Sequence, residues 1–91
     1  MLTLKTTARF RKDYQRTKKR GLDLSLLETV IETLLAEKSL DPKHRDHALS
    51  SDYAGFRECH VLPDWLLIYR VDHDTLVLTA SRTGTHSDLF D

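Results

Sequence analysis

Three histidines, one aspartate and one arginine stand where the chain is expected to turn. His47 lies in a polar loop and His60 ends a strand. Asp64 follows His60 by four residues across a turn, Arg82 closes the last strand, and His86 comes four residues later. Strand ends and loops are where a rigid scaffold presents reactive groups. Two histidines can act as general base and general acid at one pH, because imidazole titrates near neutrality. Arginine adds a permanent, fork-shaped donor suited to phosphate. RNA backbone cleavage requires these parts. The RNA's own 2′-hydroxyl attacks the adjacent phosphorus, so no protein nucleophile is needed. The protein must take the 2′ proton, protonate the leaving 5′ oxygen and stabilise charge on the phosphoryl oxygens. Asp64 would either take the 2′ proton itself or hold a histidinium at His60. The plainer alternatives are histidines that only bond to backbone, and a rim salt bridge between Arg82 and Asp64.

Other chemistries are less well supplied. His44-x-x-His47 with His60 or His86 offers imidazoles for a divalent metal, but no helical spacing and no thiolate join them, so no metal site is expected. Cys59 alternates with His60 and should be buried on the opposite face as a small apolar residue. There is no Gly-rich phosphate loop and no nucleophile elbow. Trp65 reads as core, whereas Phe90, close to the C-terminus, is placed to stack on a base.

Positioning such residues requires a sheet. Leu2 and Leu4 alternate with Thr3 and Lys5 as a first strand. Thr6 or Thr7 can cap a helix running to about Arg20, with Gly21 as its stop and only Phe10 and Tyr14 as an apolar stripe. In the second helix Leu27, Val30, Ile31, Leu34 and Leu35 share one face. Ser25-x-x-Glu28 forms a capping box there and Asp23 is a competing cap. Residues 38–54 read as loop. Strands follow at 56–61, 65–71 and 75–82, separated by turns at Pro63-Asp64 and Asp72-His73-Asp74, and Gly84 begins a short tail, 85–91. The order β-α-α-β-β-β predicts an α+β domain: an antiparallel four-stranded sheet with both helices packed on one face. The ends of a meander's strands lie side by side, which would bring residues 60–65 and 82–86 to one edge.

The chain has 91 residues, 40% hydrophobic and 31% charged, with three glycines, two prolines and one cysteine. That bounds it to one globular domain, residues 1–91, and excludes fibrous, low-complexity and disulfide-framework classes. The longest apolar run, Trp65-Leu66-Leu67-Ile68-Tyr69, is far below the roughly 20 residues of a membrane helix. The N-terminus has no export pattern, so a cytoplasmic protein is expected. A net charge of zero hides segregation. Eight basic residues against Asp13 alone leave residues 1–22 at +7, and the remainder carries −7. Arg11, Lys12, Lys18 and Lys19 are therefore candidates to meet an anionic partner, nucleic acid or an acidic protein, with a merely solvated basic face as the alternative.

His47-Ala48-Leu49, Phe56-Arg57-Glu58-Cys59-His60-Val61, Pro63-Asp64-Trp65-Leu66-Leu67-Ile68-Tyr69 and Arg82-Thr83-Gly84-Thr85-His86-Ser87-Asp88-Leu89-Phe90 closely resemble the YafQ branch of the RelE toxins. These are the nuclease halves of bacterial type II toxin–antitoxin pairs, and the resemblance covers essentially the whole chain. It implies a RelE-like fold and ribosome-dependent cleavage of messenger RNA in the A site, leaving a 2′,3′-cyclic phosphate. It implies catalytic roles for His47, His60, Asp64 and His86, phosphate binding by Arg82 and a substrate contact at Phe90. No cofactor or metal is implied. The implied partners are the ribosome with its mRNA and a cognate antitoxin, which would gather a monomeric toxin into a hetero-oligomer. One departure is visible: Ala48 and Ser50-Ser51 stand where family members often have proline and glycine, leaving that loop less constrained. Two rivals share the fold. A ParE-like gyrase poison would have no use for histidines at 60 and 86, and a non-catalytic RNA- or protein-binding module would tolerate their loss.

Overall fold

The structure, a computed structural model, describes residues 1–90; Asp91, the last residue of the expected tail, lies outside them. Strand β1 (Thr3–Thr6) leads into helices α1 (Ala8–Lys19) and α2 (Leu24–Leu35). Two short 3₁₀ turns, Pro42–His44 and Ser51–Tyr53, flank a two-residue strand β2 (His47–Ala48). Strands β3 (Arg57–Leu62), β4 (Trp65–Asp72) and β5 (Val77–Gly84) follow, and helix α3 (His86–Phe90) ends the described chain.

Local chemistry explains the helix boundaries. Thr7 caps α1, its Oγ1 accepting from the Phe10 N–H at 3.0 Å and donating to the Ser81 carbonyl at 2.7 Å. Gly21 stops the helix at φ +79°, where a side chain would be strained. At α2 the cap is Asp23, which accepts from the Ser25 N–H at 3.0 Å. The capping-box glutamate is used elsewhere: Glu28 accepts from the Tyr14 hydroxyl at 3.2 Å. Leu27, Val30, Ile31 and Leu34 are buried at helical spacing, as expected. In α1 the buried stripe is Phe10, Asp13 and Thr17, so two of its three members are polar.

The sheet differs from the expected one. It has five strands in the order β1-β5-β4-β3-β2 and is mixed, because β1 runs parallel to β5, Thr3 opposite Val77 through Thr6 opposite Ala80. An antiparallel four-stranded sheet is thus corrected on two points. The chain crosses the sheet through α1 and α2 before β3 begins, and β1 and β5 then meet in the same direction. The loop at 38–54 also contributes β2, with His47 opposite Glu58 and Ala48 opposite Arg57. A third helix, α3, occupies what was expected to be a tail.

Both faces of the sheet are buried in part. Phe10 and the α2 leucines pack with Cys59, Val61, Leu67, Tyr69, Leu78 and Ala80 on one face, together with Trp65, the core residue it was expected to be. On the other face Leu66, Ile68 and Leu89 form a smaller core with Leu49, Tyr53 and Phe56. Cys59 is fully buried on the helix side, and burial pushes its thiol up to about 12. Among the described residues, no helix is long and apolar enough to cross a membrane.

Candidate active site

The smaller core is the floor on which the reactive residues sit. Strand register lays out one row as His47, Glu58, Ile68 and Arg82, and the next as His60, Leu66 and Gly84. Two irregularities set this arrangement. Between Tyr69 and Ile68 the β5 register skips Ser81, so Arg82 comes opposite Ile68 and shares its face. At the other end the β3 register skips Val61 after His60, just before the Pro63-Asp64 turn.

The histidines expected at this edge do meet. The rings of His60 and His86 are 5.9 Å apart, and those of His47 and His60 are 6.4 Å apart. His60 Nδ1 donates to the Pro63 carbonyl at 3.1 Å, and His47 Nδ1 donates to the Arg45 carbonyl at 2.6 Å. A carbonyl can only accept, so each ring keeps its Nδ1 proton and turns Nε2 to other work. Both Nε2 atoms point to Glu58 Oε1, at 3.8 Å from His47 and 3.6 Å from His60. Glu58 is only 4% exposed, so a buried carboxylate sits between two imidazoles. The sequence reading passed over Glu58. Its signal was its place two residues before His60, which puts both on one face of a strand.

Asp64 pairs with a different histidine from the one expected. Its Oδ1 accepts from the His86 ring Nδ1 at 3.1 Å and from the His86 backbone N–H at 3.2 Å, not from His60. The His86 ring, followed by the His86 N–H, holds the Asp64 carboxyl below its ordinary range. With its Nδ1 side fixed on Asp64, the half-exposed His86 ring has Nε2 left without a hydrogen-bond partner among the described residues.

Arg82 is likewise claimed by a residue other than Asp64. Its Nε donates to Asp13 Oδ2 at 2.7 Å and its Nη2 to Asp13 Oδ1 at 3.1 Å. The rim salt bridge between Arg82 and Asp64 therefore does not form. Asp13, buried in α1, also accepts from Arg16 at 2.8 Å and from the Thr83 N–H at 3.1 Å. Bonding to Asp13 raises the affinity of Arg82 for its proton, so it stays charged throughout. Tyr53 also bonds the guanidinium and adds to the same upward shift, so Arg82 is held from two sides.

Helix α3 carries His86 and Phe90 and is fixed by its own acid. Asp88 Oδ2 accepts from the Thr85 N–H at 2.9 Å while Thr85 Oγ1 accepts from the Asp88 N–H at 3.1 Å, a reciprocal cap. Arg20 at the end of α1 grips the same carboxylate with two bonds, at 2.7 and 3.2 Å. That guanidinium holds Asp88 far below the usual carboxylate range. Gly84 makes room: a Cβ there would lie 2.8 Å from Asp88 Oδ2. Phe90 is exposed beside His86, its ring centre 6.2 Å away.

The His47 loop is tied down without the proline and glycine it lacks. Asp41 caps the first 3₁₀ turn, and His44 Nδ1 donates to the His60 carbonyl at 2.6 Å. Asp46 accepts from the Tyr69 hydroxyl at 2.6 Å and from Arg57 at 3.3 Å. Among the described residues, no three His, Cys, Asp or Glu side chains are arranged to hold a metal ion. The candidate RNA-binding cations lie apart from the histidines. Arg11, Lys12 and Lys19 line a shallow groove on α1, where Arg11 also bonds the Thr6 carbonyl, and Lys18 stands exposed in the last turn.

The family model described as the bacterial toxin of type II toxin–antitoxin systems, YafQ, matches residues 2–91. The chain belongs to the YafQ family. An mRNA interferase toxin YafQ from Escherichia coli (strain B / BL21-DE3) is 38% identical over 86 residues, covering 92% of this chain and 90% of that protein. Among solved structures, the YafQ of E. coli strain BL21(DE3) is 33% identical with a TM-score of 0.93 over the full length of both chains. A metal-bound toxin from Helicobacter pylori is 43% identical with a TM-score of 0.94, covering 99% of this chain and all of that one. A YafQ chain from the E. coli DinJ–YafQ complex matches with a TM-score of 0.91 at 34% identity, over all of both chains. The mixed five-stranded sheet is thus the YafQ fold.

Proposed function

We propose that this single-domain chain is the toxin of a type II toxin–antitoxin pair and an endoribonuclease that cuts mRNA on the translating ribosome. The reading rests most directly on one observation: His86, oriented by Asp64 at 3.1 Å, faces His60 across a 5.9 Å ring separation. A phosphate between these rings meets two proton-transfer groups. One imidazole takes the proton from the RNA 2′-hydroxyl as that oxygen bonds to phosphorus. The other gives a proton to the 5′ oxygen as the P–O5′ bond breaks, leaving a 2′,3′-cyclic phosphate and a 5′-hydroxyl. Glu58 steadies an imidazolium at His60 or His47, and Asp64 does so at His86. Arg82, braced by Asp13, meets oxygens whose charge grows as the pentavalent phosphorus forms. Phe90 supports the base next to the cut. The chemistry draws its charge stabilisation from Arg82 and asks for no metal or cofactor.

The basic face of α1, with Arg11, Lys12, Lys18 and Lys19, binds ribosomal RNA or an acidic stretch of antitoxin. The toxin is monomeric until an antitoxin gathers it into a hetero-oligomer in the cytoplasm, where translating ribosomes are. The likeness to E. coli mRNA interferase toxins, and the complex of the E. coli YafQ with DinJ, support this. Primer extension on an mRNA translated with and without the protein tests the proposal. Discrete cuts in the reading frame are expected. Uninterrupted extension, with replication arrested instead, would assign the chain to a ParE-like activity and overturn the nuclease reading.

A further inference from the structure

The sheet face that carries the histidines is roofed over only part of its area. Helix α3 and the second 3₁₀ turn close over Leu66 and Ile68. Beyond them the face formed by β1, β5 and the second half of β4 is an open groove, whose walls include Lys5, Arg70, Thr75, Thr79 and Ser81, with Phe56 at one side. The Arg70 guanidinium stands over the Phe56 ring, 5.9 Å from its centre.

A line of rings joins this groove to the histidines. Phe56 meets Tyr53 edge to face at 6.0 Å, and Tyr53 meets Phe90 at 5.7 Å. Phe90 in turn lies 6.2 Å from His86. Cations, hydroxyls and aromatic rings laid along a sheet face are what single-stranded RNA uses: charge for phosphates, rings for bases, hydroxyls for ribose and base edges. Asp72 Oδ1 accepts from the Asp74 and Thr75 N–H groups at 2.9 and 3.2 Å, which hold it as a carboxylate at the groove, where Lys5 and Arg70 outnumber it by one charge. Val77 and Phe56 give the groove apolar surface, but threonines, a serine and three charged side chains make up the rest of its walls, a mixture that suits a polynucleotide better than the continuous apolar face of a protein segment.

We propose that this groove is the track for the mRNA nucleotides on one side of the scissile phosphate, with Phe56, Tyr53 and Phe90 supporting bases and Lys5 and Arg70 meeting phosphates. The proposal rests on the nuclease reading and extends it to the path of the substrate. Stacking of this kind accepts any base, so the track supplies length-dependent affinity without sequence preference.

The test is an NMR titration of the labelled protein with 2′-O-methylated oligouridylates, which cannot be cut because the attacking hydroxyl is blocked. A dinucleotide should move the signals of His60 and His86 alone. An octanucleotide should also move the amides of Arg70, Thr79 and Ser81. The double substitution Lys5→Gln, Arg70→Gln should weaken octanucleotide binding at least about fivefold and leave the dinucleotide unchanged. Its salt dependence should flatten by about 0.7 per lost phosphate contact. Octanucleotide shifts confined to the histidines would overturn the track and leave the nuclease reading standing. Groove amides that answer an acidic peptide but not RNA would give the face to a protein partner, and no RNA response anywhere would remove the track as well. Primer extension with the unsubstituted protein judges the nuclease reading separately.

Discussion

Replacing Asp13 by Asn removes one charge from beneath the site while keeping the side chain's size. Asp13 is 2% exposed and accepts four hydrogen bonds, from Arg82 Nε and Nη2, from Arg16 and from the Thr83 N–H. An asparagine turns one terminal oxygen into an NH₂ that faces donors, so at least one guanidinium bond is lost outright. Breaking a buried ion pair by removing one partner costs about 3–5 kcal/mol. The Arg82 side chain keeps 13% of its surface in water, which relieves part of that cost and places the expectation near about 3 kcal/mol. For a domain of this size each kcal/mol lowers Tm by about 4–8 °C, so melting followed by circular dichroism resolves the change easily. Cleavage should suffer too, because a guanidinium displaced by about 1 Å can cost on the order of 10²-fold in rate. Arg82→Gln alone and in combination completes a double-mutant cycle in which the two changes are strongly non-additive. An Asp13→Asn protein within about 1 kcal/mol of the parent and cutting at its rate would refute the idea that this pair aims Arg82.

Four further outcomes follow from the same contacts. In His86→Gln the Asp64 carboxyl should titrate closer to its ordinary value, seen by carboxyl ¹³C NMR; because the folded group is the more acidic, the contact's contribution is present above about pH 4 and fades as pH falls through the folded value. An unmoved Asp64 titration would mean the His86 contact is not made in solution. Asp88→Asn should loosen α3 and lower Tm at neutral pH, and since Asp88 is held far below the carboxylate range the deficit should persist at pH 4, closing only in stronger acid; a deficit gone by pH 5 would contradict the Arg20 grip. Gly84→Ala, with φ at +154° and a Cβ 2.8 Å from Asp88, should cost about 1–3 kcal/mol and slow cleavage together, and a stable, fully active variant would argue against the close packing. Iodoacetamide at pH 8 should leave Cys59 unmodified until the protein is unfolded, because its thiol is buried and pushed up to about 12.

Much of this fold was legible in the residues, and the exceptions have physical causes. The leucine-rich face of α2 and the three consecutive strands follow from 3.6- and 2-residue periodicities, which are local properties of the chain. The parallel pairing of β1 with β5 is not local: Thr3 and Val77 are brought together only when both helices have crossed the sheet. Strand β2 is two residues long, too short for any alternation, and exists because Glu58 lies opposite His47. The meeting of residues near 60 with those near 86 was readable from the meander, but the partners were not. Asp64 bonds His86, which starts α3, a helix whose Thr85-x-x-Asp88 cap was present in the sequence and read as tail. Arg82 bonds Asp13, which appeared only as the lone acid in a basic helix, because the skipped Ser81 that turns Arg82 leaves no mark in composition. The charge segregation was partly structural as well, since Arg16 and Arg20 are spent on Asp13 and Asp88.

If His60 and His86 cut RNA by moving the proton of its own 2′-hydroxyl, the ends of the products carry the proof. The most direct measurement is end analysis of cut mRNA, comparing an all-ribose message with one carrying a single 2′-deoxy nucleotide at the cut site. Expected are 2′,3′-cyclic phosphate and 5′-hydroxyl ends on the ribose message, no cut at the deoxy position, and a loss of about 10²–10⁴ in rate for His86→Ala. Continued cutting at the deoxy nucleotide, or undiminished cutting by both His60→Ala and His86→Ala proteins, would contradict that mechanism.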